Sequence, residues 1–417
     1  MNLNRGQATE PTTLRLAREL GPELAELRRA LHQIPEVGLD LPLTQRMLLD
    51  ALAGLDLEVS LGKELSSITA VLRGRAPAEG ERQVVLLRGD MDALPVTEEV
   101  DLDYRSRHDG VMHACGHDLH MAGLVGAARI LHALRDELPG DVVFMFQPGE
   151  EGPGGAEPMI REGLLDVAGR RVDAAYALHV SSSDEPFGQW FSRRGTSGAS
   201  ADSVTVRVLG TGGHGSAPYR ARDPIPAMCE MVLALQTMTT RGFDVFDPIV
   251  VTVGRIAGGT KENIIPDEAE FEATVRSLSP QSRAKVRADI QRLVGGIAAA
   301  HGLAVAVDYE LGYPVTVNDD TEYAHALQVV DDLFGRDRFT ELPTPELGSE
   351  DMAFVMELVP SAYFNVSACP VADYANAPDN HSPRAAFDDA VLPDAAAWLA
   401  EVAVRRLRRA TPGPDSA

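Results

Sequence analysis

Three cysteines in 417 residues, Cys115, Cys229 and Cys369, are too few, too scattered and the wrong parity for a disulfide framework. Isolated thiols of this kind fit a cytoplasmic protein, where they stay reduced. Positive charge is also scarce: 38 Lys and Arg stand against 62 Asp and Glu, a net charge of −24. That balance disfavours nucleic acid or an anionic membrane as a general partner, because both demand basic surface. A local pocket can still bind an anion. No apolar run is long enough to span a bilayer, and the opening "MNLNRGQATEPTTLRLAREL" lacks the basic-then-apolar profile of a signal peptide. Internal repeats and low-complexity tracts are missing as well. What remains is a globular composition, 44% hydrophobic and 24% charged, in a chain long enough for two domains to be expected. The tail "RRLRRATPGPDSA" reads as a helix end and a frayed terminus, with its basic run a solvated face.

Up to about residue 185 the pattern alternates between strands and helices. "QVVLLRGDMDALP" (83–95), "DVVFMFQPGEEG" (141–152) and "VDAAYALHV" (172–180) are apolar strands ending in polar residues, and "HMAGLVGAARILHALRDEL" (120–138) has helical spacing. Parallel pairing with helices on both faces is expected. From about 195 the order becomes β-α-β-β-α-β, ending on the strand "AVAVDYELGY", which is that of a ferredoxin-like module of roughly 110 residues. The reading is therefore an α/β protein with a small domain, 191–308, inserted between two parts of a larger one, 1–190 and 309–417.

Against this scarcity of cysteine and histidine, "VMHACGHDLHM" stands out. His113, Cys115, His117 and His120 fall within eight positions of a chain with 11 histidines. A metal site, a cysteine nucleophile with its base, or an ordinary helix could each produce it. Three further polar clusters lie where predicted strands end: Asp90 and Asp92, Glu150 and Glu151, and His179. Ligands of open α/β sheets bind beyond the carboxyl ends of strands, so these clusters would converge. Singly each has a bland alternative, since Asp-x-Asp is often turn chemistry and a lone histidine is often a satisfied loop residue. The Glu-Glu pair is the most informative. Two adjacent carboxylates point in different directions, and like charges so close repel unless a cation or proton compensates. A metal would remove that penalty and leave the other carboxylate as general base for water. Cys115 and His117, at alternate positions, can aim a sulfur and an imidazole the same way, a pair that suits a borderline transition metal. "NHSP" adds His381 from the far end of the chain. His113 is read as support behind the site, and His120 as a residue of the following helix.

"RGDMDALP", "MHACGHDLHM", "QPGEEGPGGAEPMI", "ALHV", "GTGGHGSAP", "GGTKENIIPDEAEFEATVRS", "GSEDMAFV" and "NHSP", in this order, resemble the M20-type metallo-amidohydrolases over about residues 20 to 405. The branch it resembles includes N-acyl-amino-acid amidohydrolases, hippurate hydrolases and plant auxin-conjugate hydrolases; Cys-x-His with Glu-Glu separates it from relatives that use His-x-Asp. The resemblance implies a dinuclear aminopeptidase-like catalytic domain with an inserted lid and dimerisation domain. It implies two divalent ions per chain (Mn, Zn, Co or Ni) on Cys115, His117, Glu151, His179 and His381, with Glu150 as general base and acid. Asp92, and more weakly Asp90, would orient a ligand from behind. His214 would reach the partner subunit's centre in a homodimer, and Asn263 and Arg276 would contact the substrate's carboxylate. A guanidinium suits that task because it grips a carboxylate through two parallel hydrogen bonds. Tyr219, the run Asp118-Leu119-His120-Met121, and Glu350-Asp351-Met352 depart from the pattern of many relatives without touching a proposed ligand. The implied reaction is hydrolysis of an N-acyl amino acid, with a carbamoylase or dipeptidase as the alternative within the family. A cysteine hydrolase using Cys115 would leave Glu150, Glu151, His179 and His381 without work. A non-catalytic binding protein would not need every proposed ligand and the base.

Overall fold

The computed structural model describes residues 10–409. The first nine residues, and the tail beyond Arg409 on which the frayed-terminus reading falls, lie outside the described residues. The chain forms two compact units. Among the described residues the first comprises 10–195, 318–343 and 354–409, and the second 196–317 and 344–353.

The first unit is built on an eight-stranded sheet in the order Glu58–Leu61, Ile68–Arg73, Asp141–Gln147, Val84–Asp90, Ala174–Ser181, Ser361–Ser367, Trp190–Ser192 and Phe339–Glu341. Val84–Asp90 runs parallel to both of its neighbours, and Ser361–Ser367 runs parallel to Ala174–Ser181. These central strands are rich in apolar residues and buried along almost their whole length because both faces are covered. The expectation of parallel pairing holds there and at the far edge, where Phe339–Glu341 runs parallel to Trp190–Ser192. Glu58–Leu61, Ile68–Arg73 and Asp141–Gln147 pair antiparallel at one edge, so the sheet is mixed. Helices Thr12–His32, His117–Ala133 and Leu392–Arg408 pack together against the sheet, burying Leu24, Val125 and Trp398 completely. Gly126 permits their close approach, since a Cβ there would stand 2.7 Å from Leu24 Cδ1 and 2.8 Å from Ala396 Cβ.

The second unit contains a four-stranded antiparallel sheet, ordered Ile249–Gly258, Glu268–Ser277, Asp202–Leu209 and Ala304–Glu310. Val204, Val206 and Val208 alternate with exposed or half-exposed neighbours and face the helices Pro224–Gly242 and Pro280–Ala300. Each helix starts with proline at its first position and a side-chain cap: Asp223 accepts from the Ile225 N–H, and Ser279 from the Ser282 N–H. The chain order is β-α-β-β-α-β. A boundary at 308 would cut the last strand, which stays paired with Asp202–Leu209 out to Glu310 and Ser203. Residues 344–353 also pack with this unit. Among the described residues no helix is long and apolar enough to cross a membrane.

Candidate metal centre

Strand ends and one helix start place the donors of the first unit. Val84–Asp90 delivers Asp90 and then Asp92, Asp141–Gln147 leads into Glu150 and Glu151, and Ala174–Ser181 carries His179. Cys115 and His117 flank Gly116, whose φ of +81° turns the chain into the helix His117–Ala133. A Cβ at 116 would meet Val180 Cγ2 at 2.4 Å, so only glycine fits this turn.

Cys115 Sγ lies 3.3 Å from His179 Nε2 and 3.3 Å from His381 Nε2. His381 Nε2 stands 3.1 Å from Glu151 Oε1, and His117 Nε2 stands 3.9 Å from that same oxygen. Three overlapping sets have their donor atoms within 4.8 Å of one another: Cys115, His117 and His179; Cys115, Glu151 and His381; His117, Glu150 and Glu151. The residues expected to ligate metal, and the expected base, are thus brought together.

The surroundings orient these donors. The His117 Nδ1–H donates to the Asp92 carbonyl at 2.8 Å, which turns Nε2 inward. That buried Nε2 has no aligned hydrogen-bond partner among the described residues. Asp92 also accepts the peptide N–H of Glu150 at 2.9 Å and of Glu151 at 3.0 Å, one on each carboxylate oxygen. It therefore fixes the Glu-Glu turn, a more direct task than the expected support of one ligand. Asp90 accepts from Arg88 at 2.6 Å and from His120 Nδ1 at 2.5 Å, while His120 Nε2 accepts the Val180 N–H at 2.8 Å. His120 sits on the helix as expected, but it props the peptide that follows His179. Its i,i+3 spacing from His117 was the available signal. His113 is buried with neither ring nitrogen paired among the described residues, and burial pushes its pKa down to about 3.

The electrostatics show a cluster that needs positive charge. Hydrogen bonding to Cys115 and contact with Glu151 lift His381 to about 10. Burial would lower His117, yet Asp90 and Asp92 hold it well above the ordinary histidine range. Burial would raise Glu151, but His381 and His117 keep it below its ordinary value. His179 goes the other way, held well below the usual range by burial and by His120. Imidazolium charge here balances converging acidic donors. A sulfur, imidazoles and carboxylates aimed at common points fit a divalent transition metal in the same role.

His214, Asn263 and Arg276 lie in the second unit. His214 pairs with Ile264 in a two-residue ladder, and the Gly215 N–H donates to the Asn263 carbonyl at 2.9 Å, so these two sites adjoin. Ser216 N–H donates to His214 Nδ1 at 3.1 Å, which leaves the ring proton on Nε2. Arg276, on strand Glu268–Ser277, is half-buried with Nη1 3.4 Å from Ser349 Oγ. Glu350 and Asp351 are buried in the same unit, with Glu350 accepting the Met352 N–H.

Residues 86–405 match the model of peptidase family M20/M25/M40. The chain belongs to this family. It is a hydrolase whose relatives share most of its length. Thermostable carboxypeptidase 1 of Saccharolobus solfataricus is 36% identical over 380 residues, 90% of this chain and 93% of that protein. N-acetyldiaminopimelate deacetylase of Halalkalibacterium halodurans is 38% identical over 350 residues, 82% of this chain and 90% of that one. The crystal structure of the Bacillus subtilis YXEP protein, a dinuclear metal binding peptidase from the M20 family, is similar with a TM-score of 0.79 and 29% identity. That similarity covers 94% of this chain and 99% of the other.

Proposed function

We propose that the protein is a cytoplasmic enzyme that binds two divalent ions and hydrolyses the amide bond of N-acyl amino acids. The observation that carries the reading is the overlap of donor sets around Cys115, His117 and Glu151. Cys115, His117, Glu151, His179 and His381 are more donors than one tetrahedral ion takes. Similarity to a dinuclear metal binding peptidase supports the count. The sulfur donor favours Zn, Co or Ni over Mg or Ca.

Ions held there would polarise an amide carbonyl and lower the pKa of the attacking water. Glu150 takes that water's proton on its carboxylate and returns it to the leaving amine. Asp92 keeps Glu150 and Glu151 in fixed register through their peptide N–H groups. His214, with its proton on Nε2, donates to the oxyanion. Arg276 and Asn263 hold the carboxylate of the amino acid. The relative named N-acetyldiaminopimelate deacetylase supports an acylated amino acid as substrate. The carboxypeptidase relative favours a second reading, cleavage of a peptide next to a free carboxylate. Hydrolysis of N-acetyl, N-benzoyl, indole-acetyl and N-carbamoyl amino acids alongside dipeptides separates the two.

Elemental analysis after equilibration with Mn or Zn and removal of free ion tests the metal reading. About two ions per chain are expected, and Cys115→Ala is expected to lose metal. Well-folded wild-type protein without metal would overturn the reading.

The open edge strand Ile249–Gly258 supports a homodimer formed through the second unit, in which His214 of one chain serves the other chain's centre. His214→Ala is then expected to lower kcat by roughly 10²-fold without unfolding the protein. Mixing it with Glu150→Gln chains should restore part of the activity, because one centre per mixed dimer regains both groups. Activity that does not rise on mixing would rule out a shared site.

A further inference from the structure

Asn380 precedes His381 in a turn whose backbone is unusual. His381 has φ +70°, a left-handed conformation that a non-glycine residue adopts only when its surroundings impose it. The His381 N–H donates to the Ala114 carbonyl at 2.8 Å, and the Ser382 N–H to the Asp379 carbonyl at 3.0 Å. The first bond ties the turn to one neighbouring segment, and the second closes the turn on itself. The side chain of Asn380 ties it to two such segments.

An asparagine in a turn commonly bonds backbone two residues away. Asn380 instead reaches partners 198 to 265 positions distant. Its Oδ1 accepts the Ser182 N–H at 2.9 Å, and the Ser182 hydroxyl lies 2.9 Å from the same oxygen. Its Nδ2 donates to the Val180 carbonyl at 3.0 Å. The second hydrogen of that amide faces Cys115, with the carbonyl oxygen at 3.4 Å and Sγ at 3.7 Å. The orientation of the amide is settled by its partners. Ser182 N–H can only donate and the Val180 carbonyl can only accept, so a flipped amide would fail both.

We infer that Asn380 is a positioning residue of the centre, whose one amide locks together the segments that carry Cys115, His179 and His381. Val180 and Ser182 flank the end of the His179 strand, Cys115 is contacted directly, and His381 is the next residue. The inference rests on the metal reading above. It adds that ligand geometry is set by a group that is itself no ligand, and that an N–H aimed at the Cys115 sulfur adjusts its donor strength.

The test uses the full-length chain loaded with Co(II), comparing wild type with Asn380→Asp and Asn380→Ala. Aspartate keeps the shape and the acceptor oxygen but cannot donate to Val180 or Cys115. Competition against a chelator is expected to show cobalt affinity 10- to 100-fold weaker in both variants. The sulfur-to-cobalt charge-transfer band should shift, which a general loss of stability would not produce. Should either variant fail to fold, Asn380→Ser, which also lacks the amide, takes its place. Cobalt affinity within twofold of wild type and an unshifted band in folded variants would overturn the inference alone. A wild-type chain that takes up no cobalt would overturn the metal reading on which it stands.

Discussion

In Glu150→Gln, kcat falls by roughly 10³-fold or more while metal content stays at the wild-type value. Glutamine has nearly the volume of glutamate, and the peptide N–H of residue 150 keeps its bond to Asp92 Oδ1. The turn holding Glu151 is therefore undisturbed. What disappears is a carboxylate able to accept a proton and release it again. A thousandfold loss corresponds to about 4 kcal/mol of transition-state stabilisation. Because the loss arises in proton transfer, kcat should fall far more than KM changes. Steady-state kinetics on an N-acetyl or N-benzoyl amino acid, run beside elemental analysis of the same preparation, decides the matter. A residual kcat within tenfold of wild type would move the base elsewhere. Loss of metal together with activity would instead make Glu150 a ligand, exchanging the roles of the adjacent pair.

The parts of this molecule legible in the sequence are those encoded by local pattern. The alternation of Val204, Val206 and Val208 against Ser203, Thr205 and Arg207 gives strand, face and neighbour in a single stretch. The buried strands that end at Asp90, Gln147 and Ser181 are legible instead as apolar runs closing in polar residues. The antiparallel edge is different. All four residues of Glu58–Leu61 are exposed, so no burial period marks the strand, and its pairing with Ile68–Arg73 depends on the turn between them. The place of residues 344–353 is likewise a matter of tertiary packing. Within the centre, residue types capable of ligation announce themselves by chemistry. The groups that aim them do not, because Asn380 and His120 act through partners far along the chain or through backbone atoms, which carry no compositional signature.

The same distinction predicts the largest stability effect. Asp118, completely buried beside His117, lies 2.8 Å from Arg28 Nε in an ion pair outside aligned hydrogen-bond geometry, and accepts from His32 Nδ1 at 2.7 Å. Arg28 and His32 are each 1% exposed. Both come from helix Thr12–His32, so this cluster pins that helix to the start of the helix bearing His117. Arg28 also reaches Asp389 and the Tyr104 hydroxyl, and His32 Nε2 lies 3.2 Å from Glu98. Asp118→Asn leaves the Arg28 guanidinium and the His32 imidazolium facing a neutral amide in a site without water access. Removing one partner of a buried ion pair typically costs about 3–5 kcal/mol, and that loss is expected in urea unfolding of the metal-free protein. The deficit should depend on pH through His32. Burial lowers the His32 pKa, but Asp118 and Glu98 raise it further, so it sits above its ordinary value in the folded chain. A raised folded pKa contributes stability fully below about 6.5 and loses it as pH rises through the folded value. Asp118→Asn removes the largest upward influence, so the gap between variant and wild type should be wider at about pH 6 than at about pH 9. A gap that is constant across this range would show that Arg28 alone carries the cost, and a gap below 1 kcal/mol would show that the cluster relaxes around the amide.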